Sequence, residues 1–184
     1  MKAYSLLLLL PLMSMSKCDE DVFEKHAIPA FALPPATQSG ANTIGFILDN
    51  RVWRDYGVSC TTFRCDSNKV RGLYTTTGEQ FTLYAGLSGR DISGRYIDED
   101  FSINLSQITS VGVYSSDAIA RWMSFSNGPY SEYLSSPGKA AIVITKLDTT
   151  QHIIAGTFSG VLRYRADITK AITVSDGRFD IRYR

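Results

Sequence analysis

Three cysteines, two histidines and a few clustered carboxylates are the residues of this 184-residue chain best suited to covalent, metal or acid–base chemistry. Cys60 and Cys65 are spaced C-x4-C. In a straight strand their Cα atoms would stand about 16 Å apart, whereas a disulfide needs about 4.4–6.8 Å. A turn over 61–64 brings them into range, so the spacing admits a disulfide-closed hairpin. Zinc is not expected, because His26 and His152 do not sit at ligand spacing from each other or from the cysteine pair. No G-x-S-x-G nucleophile motif is present, and His152 reads as a surface histidine. Asp98, Glu99 and Asp100 are consecutive and lack the spaced ligands and glycine of a calcium loop, so a solvated turn is expected there. Two carboxylates placed for glycoside hydrolysis are a spatial arrangement on which sequence is silent. The reading is a chain without catalytic activity, metal or cofactor.

The third cysteine has a different setting. Residues 1–17, "MKAYSLLLLLPLMSMSK", carry Lys2, then a short apolar run over Leu6–Met13. A membrane-spanning helix needs about 20 apolar residues, so the run reads as a secretion signal. Cleavage by an ordinary signal peptidase after Ser14 or Ser16 would leave Cys18 as a free thiol. Alternatively "MSKC" resembles the lipobox of Gram-negative lipoproteins, with Cys18 lipidated as the first mature residue; Lys17 departs from the small residue usual at that position. Lipidation of Cys18 removes the odd thiol and leaves Cys60 and Cys65 as an even pair. Two or three acyl chains anchor stably where one is marginal. The acids Asp19, Glu20, Asp21 and Glu24 resemble the export tag of Bacteroidetes-type surface lipoproteins, or form a solvated tether. The expected address is the outer membrane, lipid-anchored, with the cell surface as the expected face.

Roughly 167 residues follow the leader, enough for one domain with a core. A hydrophobic content of 44% favours folding, and a net charge of +1 gives no basis for nucleic-acid binding, which needs clustered positive charge. Residues 18–42 carry Pro29, Pro34 and Pro35 and read as an extended tether. The alternative is that Ile28, Phe31 and Leu33 pack along the domain edge. From 43 to 184 the pattern is alternation: Phe81, Leu83, Ala85 and Leu87, then Phe101, Ile103 and Leu105, then Phe179, Ile181 and Tyr183. Period two is the signature of half-buried strands. Turn signals at Asp49-Asn50, Thr77-Gly78, Ser88-Gly89, Asn127-Gly128-Pro129, Pro137-Gly138, Asp148-Thr149 and Asp176-Gly177 separate them. The expected fold is all-β, a single antiparallel β-sandwich or partly open barrel.

Three blocks together, "LPPATQSGANTIGFILDNRVW" at 33–53, "PGKAAIVITKLDTTQHIIAGTFSGVL" at 137–162 and "SDGRFDIRY" at 175–183, resemble a family of uncharacterised Bacteroidetes-type lipoproteins. The resemblance implies a small all-β envelope domain and brings no activity with it.

The aromatic residues are the strongest functional lead. Tyr114, Trp122, Phe125, Tyr130 and Tyr133 cluster in a stretch rich in serine and glycine. Trp122, Tyr130 and Tyr133 are candidates for stacking on sugar rings or anchoring a protein partner; the plainer reading puts the aromatics in the core. Arg163, Arg165, Lys170, Arg178, Arg182 and Arg184 are expected along one sheet edge, where charge blocks aggregation. The functional expectation is a binding or structural module, tied to the membrane by its anchor and partnered by an envelope protein or a glycan. A glycan-binding accessory protein and a lipocalin-like carrier are the alternatives.

Overall fold

The computed structural model describes residues 27–60, 65–75, 77, 79–117, 120–129 and 131–183. Among these, none is helical. The strands are β1 (Thr43–Leu48), β2 (Arg51–Arg54), β3 (Val58–Cys60), β4 (Cys65–Ser67), β5 (Arg71–Thr75), β6 (Gln80–Arg90), β7 (Tyr96–Leu105), β8 (Gly112–Ser115), β9 (Arg121–Asn127), β10 (Glu132–Asp148), β11 (Ile153–Tyr164) and β12 (Asp167–Arg182). One antiparallel sheet runs β2-β1-β12-β11-β10-β9-β7-β6-β5, with β8 against β10, and β3-β4 forms a separate hairpin. The expected all-β, sandwich-like architecture is therefore observed.

Alternation fixes which side chains face inward. On β7, Ile97, Phe101, Ile103 and Leu105 are buried while Tyr96 and Asp98 are exposed. The sheet curls so that β1, β11 and β12 face β6 and β7 across an aromatic core. Phe46 stacks on Trp53 at 4.8 Å and meets Phe101 at 4.5 Å, and Phe101 stacks on Phe158 at 5.2 Å. Phe81 stacks on Phe179 at 5.7 Å. Rings at such spacings add about 0.5–1.5 kcal/mol per pair beyond their buried area. Among the described residues these rings fill the interior between the facing strands.

Three expected turns fall inside strands: Ser88-Gly89 pairs with Asp98 and Ile97 within β6, and the other two are bulges. Pro137-Gly138 lies within β10, where the pairing to β11 shifts between Ser135 and Ala140 and Gly138 has φ +67°. Asp176-Gly177 lies within β12, where both flanking ladders shift register and Asp176 has φ +50°. A Cβ on Gly177 would stand 2.5 Å from the Phe158 ring, so glycine is needed for that close approach. The positive-φ residues that signal a hairpin serve equally for a bulge, which bends a long strand without ending it. These bends let β10 and β12 curve around the core.

The sheet does not close. Its edge strands are β2 and β5, and the chain just after β2 reaches β6 through a single parallel bridge. There the Tyr56 N–H donates to Gly86 O at 3.0 Å and the Ser88 N–H donates to Tyr56 O at 3.0 Å. Asn68 plugs the remaining gap, its side-chain amide donating to Tyr56 O and to Ser88 Oγ at 2.7 Å.

The expected tether is in large part packed. Residues 27–42 lie along the domain, with Ile28 and Phe31 against the core and Pro34 buried. Asp180, on the outer face of β12 and 1% exposed, secures this strap. It accepts hydrogen bonds from Thr37 Oγ1 at 2.6 Å and from the backbone N–H groups of Ser39, Gly40 and Ala41 at 2.9, 2.7 and 3.2 Å. Pro34 fits because Gly45 has no Cβ: one placed there would lie 2.4 Å from the proline ring.

Candidate functional site

At one end of the sandwich the β1–β2 turn, the β6–β7 turn, the ends of β9 and β10, Ile172 of β12 and the start of the strap surround a cleft of about 770 Å³. Its apolar walls are Ile28, Leu48, Ile97, Phe125, Tyr133 and Ile172. The size lies in the range of small-ligand pockets, which combine apolar walls with few, fixed polar groups. Its polar lining includes Arg51 and Arg95 beside Asp49, Asp91 and Glu99, of which Glu99 is the buried one. Period two on β7 turns it inward between Ile97 and Phe101, and it is 4% exposed. The solvated turn expected at 98–100 is therefore a strand with a buried acid. Glu99 accepts both carboxylate contacts from Arg51 Nη2, at 2.9 and 2.7 Å, and the Trp53 indole N–H at 3.0 Å. Burying a carboxylate is tolerable only when it is paired and hydrogen-bonded. The Arg51 side chain is 45% exposed, so one face of its guanidinium holds Glu99 while the rest remains open to solvent. An apolar-walled cleft with a charged rim, in which the Arg51 guanidinium is partly open to solvent, suits an amphiphilic guest.

A second surface is the outer face of β6, β7 and β9. Register places Thr82, Asn104 and Trp122 in one row and Tyr84, Ser102 and Ser124 in the next. Thr82 Oγ1 donates to Asn104 Oδ1 at 3.1 Å, Ser102 and Ser124 share a hydroxyl hydrogen bond of 2.8 Å, and the Tyr84 hydroxyl donates to Asp100. Burial, then the hydrogen bond to Asp100, pushes the Tyr84 hydroxyl pKa upward. Asp98 and Asp100 point outward two positions apart on β7, which sets their Cα atoms about 7 Å apart. Burial first, and then the charge of Asp100, raises the Asp98 pKa. With Glu132 they line an open hollow of about 500 Å³. Among the described residues, no three His, Cys, Asp or Glu side chains converge as metal ligands.

The residues singled out by sequence are dispersed. Trp122 lies half-buried on the outer face, and Tyr133 forms a cleft wall, its ring 5.2 Å from Tyr164 and 6.3 Å from Phe125. Phe125 is core. Cys18 and Tyr130 lie outside the described residues. Cys65 is disulfide-bonded, and Cys60 stands directly opposite it in the β3–β4 ladder. Facing Cα atoms in an antiparallel pair lie about 4.5–5.5 Å apart, within disulfide range. The basic residues do not share one edge. Arg163, Arg165 and Lys170 gather at the β11–β12 hairpin, where Arg165 pairs with Glu132 at 2.8 Å and Lys170 with Asp167 at 3.7 Å. Arg178 reaches the strap at Pro34 O, and Arg182 lies at the opposite end, bonded to Gln151 O. Arg184 is outside the described residues.

Sequence reasoning missed Arg51, Trp53 and Glu99 as a unit. The available signal was an acid at an inward position of a strand, Glu99 between Ile97 and Phe101. No protein-family model matches the chain, and comparison with curated proteins and with solved structures returns no match.

Proposed function

We propose that this chain is a lipid-anchored envelope protein of the outer membrane that binds an amphiphilic ligand, without catalysis, in the end cleft. The observation that carries the ligand site is the apolar-walled cleft whose lining includes the Arg51–Glu99 pair, with Trp53 buried behind it. The lipobox-like "MSKC" and the short apolar leader support the anchor. A probe with an apolar body and an anionic head, 1-anilinonaphthalene-8-sulfonate, tests the site. Wild type enhances its fluorescence saturably. Ala30→Trp, a substitution at an exposed strap residue lining the cleft, lowers the affinity at least about tenfold, the equivalent of about 1.4 kcal/mol. Equal binding by both proteins would sink the site. Incorporation of labelled palmitate, lost in Cys18→Ser, tests the anchor separately.

A second reading, a glycan-binding accessory protein, is favoured by the outer face, where Tyr84 and Trp122 flank a row of hydroxyl and amide groups. Retention on a glycan array that is lost in Trp122→Ala and Tyr84→Ala but kept in Ala30→Trp selects it.

A further inference from the structure

We infer that the cleft-bearing end of the domain rests on the lipid bilayer, so that the guest of the cleft is an acyl chain drawn from the membrane. The inference rests on the proposed lipidation of Cys18. The strap enters the domain at the cleft: the Ile28 N–H donates to Arg90 O at 2.8 Å, the Tyr56 hydroxyl donates to Ala27 O at 3.1 Å, and Ile28, Pro29 and Ala30 form part of the cleft wall. Cys18 is nine residues before Ala27. Even fully extended, nine residues span roughly 30 Å. The lipid at Cys18 is thus confined near this end. The opposite end, at the β10–β11 turn, lies further off by the length of β11, whose 12 residues span about 40 Å.

The side chains at this end fit a membrane surface. Ile92, at the tip of the β6–β7 turn, is fully exposed, and Ile168, at the β11–β12 hairpin, is 69% exposed. Tyr96 is 50% exposed beside Ile92. Exposed isoleucines at two hairpin tips have no packing role within the domain. Aromatic and cationic residues nearby suit the headgroup layer. Arg95 beside Ile92, and Arg163, Arg165 and Lys170 around Ile168, supply the cations. Asp91, Asp167 and Glu132 partly offset them through the pairs Arg95–Asp91, Lys170–Asp167 and Arg165–Glu132. Docking therefore leans on the apolar tips more than on net charge. With the tips in the headgroup layer, the cleft opens toward the acyl chains, and the open face of Arg51 meets the polar end of an entering lipid.

The test uses the lipidated protein in vesicles of phosphatidylethanolamine and phosphatidylglycerol with brominated acyl chains, which quench tryptophan on contact. Ile92→Trp and Thr150→Trp place reporters at the two ends. The expected result is at least twofold stronger quenching of the Ile92→Trp signal than of Thr150→Trp, each measured against the wild-type background of Trp53 and Trp122. Equal quenching, or stronger quenching at 150, overturns the orientation. Solvent extraction of protein purified from membranes tests the guest. Wild type is expected to carry several-fold more phospholipid than Ala30→Trp, and equal amounts overturn the acyl-chain assignment. Palmitate labelling of Cys18 is read on its own, and the quenching comparison repeated with unlipidated Cys18→Ser separates failure of the anchor from failure of the docking surface.

Discussion

Asp180 and Glu99 are both buried carboxylates on inner strands, 1% and 4% exposed, yet they are satisfied in opposite ways. Asp180 is enclosed by one segment of chain, which supplies the hydroxyls of Thr37 and Ser39 and three consecutive backbone N–H groups. Glu99 is held by two side chains, one of which, Arg51, is half out in solvent. The first arrangement leaves no open face and serves as a latch. The second leaves a partly exposed cation in the lining of the cleft proposed as the ligand site. Burial of an acid alone therefore does not separate a latch from the proposed site; the accessibility of its partner is what differs.

The comparison breaks most visibly at Asp180. Asp180→Ala strands five donors, and hydrogen bonds to a charged group contribute about 1.5–3 kcal/mol each. Peeling of the strap returns those donors to water and limits the loss, so the expected destabilisation is about 3–5 kcal/mol in urea unfolding. Thermolysin cleavage within 27–42 should accelerate in parallel. A loss below about 1 kcal/mol with unchanged cleavage would show that Asp180 is no latch. Next comes Gly45→Leu, which drives a side chain into Pro34. Overpacking costs about 1–3 kcal/mol, and the strap should again become the most protease-sensitive part of the chain. Glu99→Gln should cost less, about 1 kcal/mol. Its amide oxygen still accepts from Trp53 and Arg51 can turn to water, where exposed ion pairs are worth about 0–1 kcal/mol. Its main effect should be on cleft binding of the anilinonaphthalene probe. If Glu99→Gln destabilises more than Asp180→Ala, the assignment of latch and site is reversed.

How much of this was legible in the sequence differs between the two acids. The strand identities of β1, β6, β7 and β11 follow from alternation, and "GRFDIRYR" places Asp180 between inward Phe179 and Ile181. That reading puts Asp180 in solvent. It is buried because a segment about 140 positions earlier in the chain covers the outer face, and no local pattern reports such coverage. Glu99 was hidden for another reason. Three consecutive acids look like a turn, but the apolar neighbours Ile97 and Phe101 extend the strand through them. Pro137-Gly138 and Asp176-Gly177 failed as turn signals because positive φ marks a bulge as readily as a hairpin. The candidate cleft draws on six separate stretches of chain; of the aromatic residues singled out beforehand, Phe125 and Tyr133 line it.

The smallest effect expected is a pH dependence, and it sharpens the same contrast with a third acid. Burial raises the Asp180 pKa, but the bonds from Thr37, Ser39, Gly40 and Ala41 outweigh it, so the carboxyl sits below the ordinary aspartate value of 3.8. A depressed native pKa gives stability that is complete above the unfolded value and is lost as pH falls through the native one. Asp55 behaves in the opposite sense. Burial raises its pKa above 3.8 despite the hydrogen bond from the Val70 N–H, so its contribution is present below the unfolded value and is lost as pH rises through the native one. On acidification the neighbourhood of Asp55 should therefore gain protection first, and the strap should lose it only below the ordinary carboxylate range. Amide hydrogen exchange at Ser39, Gly40 and Ala41 against that at Val70, followed from pH 6 to pH 3, separates the two. Loss of strap protection already between pH 6 and 5 would mean that some group other than Asp180 holds it.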